Sequence, residues 1–344
     1  MNKIIRVLFL IHDLGPGGAE KVLIRLVRQL DRAKFDITVK SLFGGGVNEQ
    51  LLPPDVHYQA VFPHMIPGNS HWMKLLTPRQ LHRLCVKERY DVEIAFLEGP
   101  SARIISGCDC PGTRLISWIH YGIESQEALA APFRSLREAQ SCYGRMDRLG
   151  FVSEGARNAF LAVCSDGGNS TVLRNVCNSD SVRRAALAPV PAARFSPETV
   201  NLVSVGKLVA AKRPDRLLRI LEQLRRAGYP VHLYLLGDGP LRRKLEAYAR
   251  KHRLQDSVTF FGYQTNPYPY MARCDLLVCA SRGEGFSTAA VEALILGVPV
   301  CTVEVCGMEE VLGGKDRCGL ITENSEEALY AGIRTLLEDP VRRA

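Results

Sequence analysis

The sequence of 344 residues contains no run of 18 or more consecutive apolar residues, the minimum expected for a membrane-spanning helix. The apolar N-terminal run at Ile4–Ile11 is short and is interrupted by Arg6. No small-residue cleavage site follows it, so this run does not have the pattern of a secretion signal. We therefore expect a cytoplasmic protein, and contact with the cytoplasmic face of a membrane stays open.

The sequence also lacks a concentrated basic segment. Its formal net charge is +8 and its pI is about 9.0, but the parts before and after residue 178 carry +4 each. Nucleic-acid binding usually needs a clustered basic patch or an interleaved aromatic platform, so we expect no nucleic-acid partner. An overall positive charge still favours anionic partners, such as a nucleotide diphosphate or an acidic membrane surface.

The 11 cysteines follow no repeated spacing, and Cys108-Asp109-Cys110 is their closest approach to a motif. Four zinc ligands at suitable spacing cannot be assembled from the sequence. We expect buried free thiols in a reducing compartment, and neither a metal nor a cofactor.

Short β-branched segments alternate with helical patterns along nearly the whole chain, which predicts parallel sheets covered by helices on both faces. The strands predicted in the first half are Ile4–Ile11, Phe35–Leu42, Val92–Phe96, Arg114–Ile119 and Arg148–Val152, and those in the second half are Asn201–Val205, Val231–Leu236, Val258–Phe261, Leu276–Ala280 and Pro299–Thr302. The intervening segment 179–200 contains Pro189, Pro191 and Pro197. The prediction is an α/β protein with doubly wound domains at 1–178 and 201–344, joined by a linker at 179–200.

Two glutamates flank the start of a predicted helix in the segment Asp275–Pro299, which reads as strand, glycine-bearing turn and helix. Glu284 lies in the turn, where it can reach the hydroxyls of a sugar, and Glu292 lies on the helix, where it can hold a ribose diol. Backbone N–H groups at the helix start form a seat for phosphate. The residues of that start are Gly285, Phe286 and Ser287.

Two lysines follow the strand predicted at 201–205. Lys207 and Lys212 should lie at the same sheet edge as the glutamate turn, because the carboxyl ends of parallel strands share one edge. Their ammonium groups would neutralise a diphosphate and stabilise its departure. The alternative is that Lys207 and Lys212 are solvated charges of a loop and bind no phosphate.

Two glycines, Gly17 and Gly18, follow the first predicted strand. They let the backbone approach either donor phosphates or an acceptor. Glu20 stands where a dinucleotide fingerprint requires glycine, which argues against a nicotinamide enzyme.

Four motifs in this order resemble those of the retaining GT-B glycosyltransferases of family 4 (glycosyl transferases group 1) that build bacterial cell-surface glycans. They are Gly15–Glu20, Gly206–Asp215, Gly237–Pro240 and the E-x7-E segment Glu284–Glu292. The resemblance implies two facing Rossmann-like domains, the second binding the sugar nucleotide and the first most of the acceptor. The chain ends earlier than the resemblance implies, which predicts a short or truncated final helix.

The resemblance also implies a reaction. A hexose or N-acetylhexosamine would pass from a nucleotide diphosphate donor, with UDP expected, to a glycan or lipid-linked acceptor in surface polysaccharide or lipopolysaccharide synthesis. Configuration would be retained without a metal, and Glu284, Lys212 and His120 would be the catalytic residues. Family members usually have arginine where Lys207 stands, so a bidentate clamp is replaced by a point charge.

Several alternatives stay open. His120 could be a structural histidine, and Tyr263, which the resemblance places at the nucleobase, could be a packed aromatic. A sugar-nucleotide epimerase of the same fold and a non-catalytic sugar-nucleotide-binding subunit are the rival functions. The segment Ala128–Arg148 interleaves apolar and basic residues, which fits either an anionic lipid surface or a helix packed on the core.

Overall fold

The computed structural model describes residues 3–65, 68–190, 195, 198–314 and 317–343. The chain divides into two compact units, Met1–Val176 and Cys177–Ala344. Each unit contains one parallel β-sheet, which confirms the fold class predicted from the alternation of strands and helices.

The sheet of the first unit has seven strands in the order β3-β2-β1-β4-β5-β6-β7. The strands are β1 Ile5–Ile11, β2 Phe35–Phe43, β3 His57–Phe62, β4 Val92–Ala95, β5 Arg114–Ile119, β6 Arg148–Phe151 and β7 Ser170–Val172. The helices are α1 Gly18–Gln29, α2 Asn69–Leu75, α3 Pro78–Cys85, α4 Pro100–Ile105, α5 Gln126–Ala130, α6 Leu136–Gly144 and α7 Glu154–Leu161.

The sheet of the second unit has six strands in the order β10-β9-β8-β11-β12-β13. The strands are β8 Val200–Val205, β9 Val231–Leu236, β10 Val258–Gly262, β11 Leu276–Cys279, β12 Val300–Val303 and β13 Gly319–Thr322. The helices are α8 Ser179–Ala186, α9 Pro214–Arg226, α10 Arg242–Lys251, α11 Tyr268–Met271, α12 Thr288–Ile295, α13 Met308–Leu312, α14 Glu326–Glu338 and α15 Pro340–Arg343.

Apolar residues cover both faces of each sheet. In β1, Leu8 and Leu10 point into one cluster of buried residues, whereas Val7, Phe9 and Ile11 point into another. Alternate residues of a strand face opposite sides, so a strand that is buried on both sides is an unbroken apolar run. The position of β1 could therefore be predicted from the sequence.

The predicted linker 179–200 is partly helical. Its first residues form α8, which packs against α11 and α12 in the second unit. Asn178 caps this helix by accepting a 2.8 Å hydrogen bond from the backbone N–H of Ser181, and Val182 is buried. The first part of this stretch is therefore a helix, which the sequence did not indicate because it has a single buried apolar residue. Pro191 and Pro197 lie outside the described residues.

In both sheets the strand order reverses next to the first strand of the unit. The reversal falls between β1 and β4 in the first sheet and between β8 and β11 in the second. The loops that leave such neighbouring strands diverge to opposite faces of the sheet, which opens a crevice at their carboxyl ends. Each unit therefore has one preferred place for a ligand.

Within the described parts of the chain, no helix combines the length and apolar character needed to cross a membrane.

Candidate functional site

The crevice of the second unit lies where β8 and β11 pair in parallel. The loop after β8 carries the two predicted lysines, and the loop after β11 carries Glu284. The loops are joined directly, because the backbone N–H of Arg282 donates a 2.8 Å hydrogen bond to the carbonyl oxygen of Ala211. The structure thus brings together two segments that the sequence separates by about 70 residues.

Lys212 and Glu284 form an ion pair in this crevice. Nζ of Lys212 lies 2.5 Å from Oε1 of Glu284, and the hydroxyl of Ser281 donates to the same oxygen over 2.7 Å. Glu284 is only 9% exposed, whereas the side chain of Lys212 is 36% exposed. One lysine face therefore remains open to solvent, and the carboxylate is fixed by two donors.

The backbone around Lys212 is held in an unusual conformation. Lys212 closes a 3-10 turn, and the next residue, Arg213, has φ of 49°, in the left-handed region. Pro214 then begins α9. Such a conformation is uncommon for a residue other than glycine and is often found at functional sites.

Two residues that were not predicted from the sequence hold the Glu284 loop in place. Nδ2 of Asn324 donates to the carbonyl oxygens of Ser281 and Arg282, at 3.2 and 3.4 Å. The buried guanidinium of Arg216 donates in turn to Oδ1 of Asn324, at 2.8 Å. Asn324 follows β13, a strand that the sequence did not predict, so nothing in the sequence linked it to the site.

The lysine loop packs closely on the glycine turn that follows β9. A Cβ atom at Gly237 would lie 1.9 Å from the carbonyl oxygen of Gly206, which no real contact allows. The backbone N–H of Leu208 also donates to the carbonyl oxygen of Asp238, at 2.9 Å. The Gly237 turn therefore fixes the loop that contains Lys207, a partly exposed residue.

The glutamate helix α12 begins after Ser287, whose hydroxyl accepts a 3.3 Å hydrogen bond from the backbone N–H of Ala290. Glu292 lies on this helix and is 5% exposed. The hydroxyl of Tyr268 donates to its Oε1 over 2.9 Å, a contact that the sequence did not reveal. Gly285 is buried and Phe286 is partly exposed.

A thiol lies close to the ion pair. Burial, together with the neighbouring Glu284 carboxylate, raises the pKa of Cys279 to about 12. Cys279 is therefore a neutral thiol at physiological pH, and it adds no charge to the crevice.

Tyr263 lies apart from this group. It follows β10, which β9 separates from β8 in the sheet. The carbonyl oxygen of Gly262 accepts a 2.8 Å hydrogen bond from the backbone N–H of Gly237. The Tyr263 segment is thus tied to the lysine loop through the glycine turn.

In the first unit, Gly17 and Gly18 lie where α1 begins. A Cβ atom at Gly17 would lie 2.0 Å from Oε2 of Glu20, so the buried Glu20 carboxylate folds back over the helix start. The loop is also held by Asn48, whose Nδ2 donates to the carbonyl oxygen of Gly15. An acidic group at this position repels phosphate and accepts hydrogen bonds from hydroxyls.

His120 follows β5 and packs against two aromatic rings, tilted at a centroid distance of 4.5 Å from Phe96 and stacked at 5.9 Å from Trp118. Its Nε2 atom is buried and has no hydrogen-bond partner among the described residues. Burial lowers the pKa of His120 to about 3, so the imidazole is neutral. Its backbone N–H donates over 2.9 Å to Glu98, a carboxyl whose pKa burial raises.

The segment Ala128–Arg148 does not present an apolar face to solvent. Its apolar side chains belong to the core of the first unit: Leu129, Phe133, Tyr143 and Met146 are at most 4% exposed, and Leu136 packs against the same cluster. Among its arginines, Arg134 donates to the carbonyl oxygens of Lys74 and Leu75. Of the two interpretations of this segment, packing on the core is the one that the structure supports.

Comparison with known families matches both units. The family described as Glycosyltransferase Family 4 matches residues 16–195, and the family described as Glycosyl transferases group 1 matches residues 192–344. Together the two matches span nearly the whole chain.

One similar protein is the N-acetylgalactosamine-N,N'-diacetylbacillosaminyl-diphospho-undecaprenol 4-alpha-N-acetylgalactosaminyltransferase of Campylobacter jejuni. It is 26% identical over 349 residues, covering 96% of this chain and 89% of that protein. Among solved structures, Anabaena HepE in complex with UDP and glucose has a TM-score of 0.76 at 20% identity, covering 98% of this chain and 91% of that one. WaaG, a glycosyltransferase involved in lipopolysaccharide biosynthesis, has a TM-score of 0.70 at 19% identity, covering 98% and 92%. These likenesses show that the fold is GT-B.

Proposed function

Because the chain belongs to glycosyltransferase family 4, we propose that it transfers a sugar from a nucleotide diphosphate donor held at the carboxyl ends of β8 and β11. The observation that carries this proposal is the contact between Lys212 and Glu284. It combines a cation that can bind phosphate with a carboxylate that can bind hydroxyls, and a sugar nucleotide has both groups next to each other. The crevice position is the one that open parallel sheets use for ligands.

The leaving diphosphate is assigned to the positive groups of this crevice. Lys212 has an exposed face, Lys207 lies in the loop that the Gly237 turn fixes, and the backbone at Gly285–Ser287 precedes α12. Cations and helix starts stabilise charge that develops on a departing phosphate. In this proposal they supply the positive charge for departure, so the transfer step needs no metal.

The sugar and the ribose are assigned to the two glutamates. Glu284 would accept hydrogen bonds from sugar hydroxyls, and its position is fixed by Lys212 and Ser281. Glu292, fixed by Tyr268, would hold the ribose diol, and Tyr263 would lie beside the base. UDP is the nucleotide we propose, and the complex of the similar HepE with UDP and glucose supports it.

The acceptor is assigned to the first unit. The neutral His120 has a buried nitrogen that can bond a hydroxyl, and the Glu20 carboxylate over Gly17 disfavours phosphate there. We propose retention of anomeric configuration by front-face attack, in which the leaving phosphate assists removal of the acceptor proton. Glu284 has no role as a nucleophile in this scheme, because both an ammonium and a hydroxyl donate to its Oε1.

The proposed product is a surface glycan or glycolipid, with a hexose or N-acetylhexosamine as the transferred sugar. The Campylobacter relative acts on a diphospho-undecaprenol-linked sugar, and WaaG belongs to lipopolysaccharide biosynthesis. We propose a cytoplasmic location, which is supported by the absence of disulfides among the 11 cysteines, all of them described.

Peripheral contact with an anionic membrane is proposed on charge alone. Since the apolar residues of α5 and α6 are buried, the contact would depend on exposed arginines such as Arg137 and Arg145. Binding of this kind weakens steeply with salt. Sedimentation with vesicles containing phosphatidylserine, at low and high salt, tests it.

A panel of UDP-, GDP- and ADP-sugars tests the proposed function. Thermal shift identifies the nucleotide that binds, and release of free nucleotide identifies turnover. Release that increases when a lipid-linked sugar acceptor is added supports a transferase. Conversion of the donor without an acceptor would point to an epimerase, and binding without any turnover would point to a non-catalytic subunit.

A further inference from the structure

Three buried side chains with metal-binding atoms meet in the first unit, and none of them has a role in the proposed transfer. They are His82 on α3, Glu93 on β4 and Cys108 just after α4, and they are 4%, 0% and 4% exposed. Their ligand atoms all lie within 4.8 Å of one another. We propose that this group binds a Zn²⁺ ion.

Two of the three pairs lie near the distances of a zinc site, each through a different oxygen of Glu93. In a tetrahedral site, ligand atoms about 2.0–2.3 Å from Zn²⁺ lie roughly 3.3–3.6 Å from one another. Sγ of Cys108 is 3.6 Å from Oε1 of Glu93, which already matches. Nε2 of His82 is 2.8 Å from Oε2 of Glu93, so this pair must open by less than about 1 Å.

The ligand types also select zinc. Imidazole, carboxylate and thiolate are the common zinc ligands, whereas Mg²⁺ and Ca²⁺ prefer oxygen alone. Binding would release the thiol proton of Cys108, since the thiolate is the ligand. The fourth position would be filled by water or by the second oxygen of Glu93.

The surroundings of Glu93 favour a cation. A carboxylate that is completely removed from water is costly unless a positive charge compensates it. Among the described residues, no lysine or arginine forms an ion pair with Glu93, and its polar contacts are His82 and Cys108. Glu93 is paired with His82 alone among the ion pairs of the described residues, and a bound Zn²⁺ would add a positive charge between the two side chains.

The site would have a structural role. Cys108 is already positioned by its neighbours, because its backbone N–H donates to the carbonyl oxygen of Ile105 and its own carbonyl oxygen accepts from Arg145. A metal would join α3, β4 and the end of α4 in the interior of the first unit. The transfer chemistry proposed above does not depend on it.

Metal titration of the full chain tests the proposal. The protein is stripped with a chelator and then titrated separately with Zn²⁺ and Co²⁺. We expect one ion per chain, a rise in Tm of roughly 5 °C with Zn²⁺, and a thiolate-to-metal charge-transfer band with Co²⁺. Cys108→Ser should lose the band, and Cys142→Ser, which changes another buried thiol of the same unit, should keep it.

Two results would overturn the zinc site. One is a wild-type chain without a charge-transfer band or without a Tm rise, which needs no variant and therefore holds even if Cys108→Ser fails to fold. The other is a band that persists in folded Cys108→Ser, since the thiolate would then come from another cysteine. Loss of donor turnover with the band intact would contradict only the proposed transferase function.

Discussion

Nζ of Lys212 lies 2.5 Å from Oε1 of Glu284, and the two residues come from loops that leave the two strands at the reversal of the second sheet. The pair gives each side chain a defined position before any ligand binds. A diphosphate would bind to the ammonium of Lys212, and sugar hydroxyls would donate hydrogen bonds to the carboxylate of Glu284. Binding of the diphosphate should therefore depend on Lys212, and binding of the sugar should depend on Glu284.

Gly237→Ala should destabilise the lysine loop. The added Cβ would collide with the carbonyl oxygen of Gly206, and φ of 144° is strained for alanine. We expect a loss of about 2 kcal/mol or more in the free energy of unfolding, together with weaker nucleotide binding. Urea unfolding and calorimetry measure the two effects.

Gly144→Ala is the matched control, because a Cβ there meets no atom within 4 Å and φ is not positive. Its stability should change by less than about 0.5 kcal/mol. If Gly237→Ala were as stable as Gly144→Ala, the close packing of the two loops would be wrong.

Glu292→Gln should reduce recognition of the ribose. Wild-type protein is expected to bind UDP roughly tenfold more tightly than 2′-deoxy-UDP, because one charged hydrogen bond to a hydroxyl is lost with the deoxy ligand. In Glu292→Gln this ratio should fall towards one. Glu327→Gln, an exposed glutamate of α14, should keep the wild-type ratio, and an unchanged ratio in Glu292→Gln would exclude the ribose contact.

His120→Asn should make the protein less sensitive to acid. Unfolded His120 takes up a proton below pH of about 6.5, whereas the folded residue, with its pKa lowered to about 3, does not. Protonation therefore favours the unfolded chain as the pH falls from 6.5 towards 3. Between pH 7 and 5 the wild type should lose up to about 2 kcal/mol more stability than the variant. Urea unfolding of both proteins across this pH range measures the difference. If the free energy of unfolding had the same pH dependence in the wild type and in His120→Asn, folding would not lower the pKa of His120.

Asn324→Asp should lower turnover without abolishing nucleotide binding. The substitution keeps the oxygen that accepts from Arg216 and removes the amide that donates to the carbonyl oxygens of Ser281 and Arg282. A displaced Glu284 loop should reduce kcat roughly tenfold, while Kd for UDP stays within about twofold. If kcat and the affinity for UDP fell by the same factor, Asn324 would support the whole crevice and not the position of Glu284 alone.

The sequence was sufficient for ten of the thirteen described strands because buried parallel strands are unbroken apolar runs. It failed where this signal is weak. β3 begins at His57 and includes Gln59, so polar residues interrupt it, and β13 begins with a glycine and has no fully buried residue. The apolar residues of α5 and α6 showed a buried face, but periodicity cannot distinguish a protein core from a lipid surface as the partner.

The candidate site was predicted as separate segments and not as a set of contacts. The lysine and glutamate loops could be placed at one sheet edge from strand order alone, since parallel strands end on the same side. Their supports, Asn324 after β13 and Tyr268 at the start of α11, come from other parts of the chain and have no motif. The same is true of His82, Glu93 and Cys108, whose spacing in the chain matches no zinc pattern.

The assignment of Lys212 to phosphate and Glu284 to sugar is tested most directly by UDP binding to two variants, measured by calorimetry alongside donor turnover. Lys212→Met should weaken UDP binding at least tenfold, because a charged phosphate contact is lost. Glu284→Gln should bind UDP as tightly as the wild type or more tightly, because its negative charge no longer competes for Lys212. Both variants should lose turnover by roughly a hundredfold or more. Lys251→Met, which changes an exposed lysine of α10, should behave as the wild type. Weaker UDP binding in Glu284→Gln, or unchanged UDP binding in Lys212→Met, would contradict the assignment of these two residues to the donor.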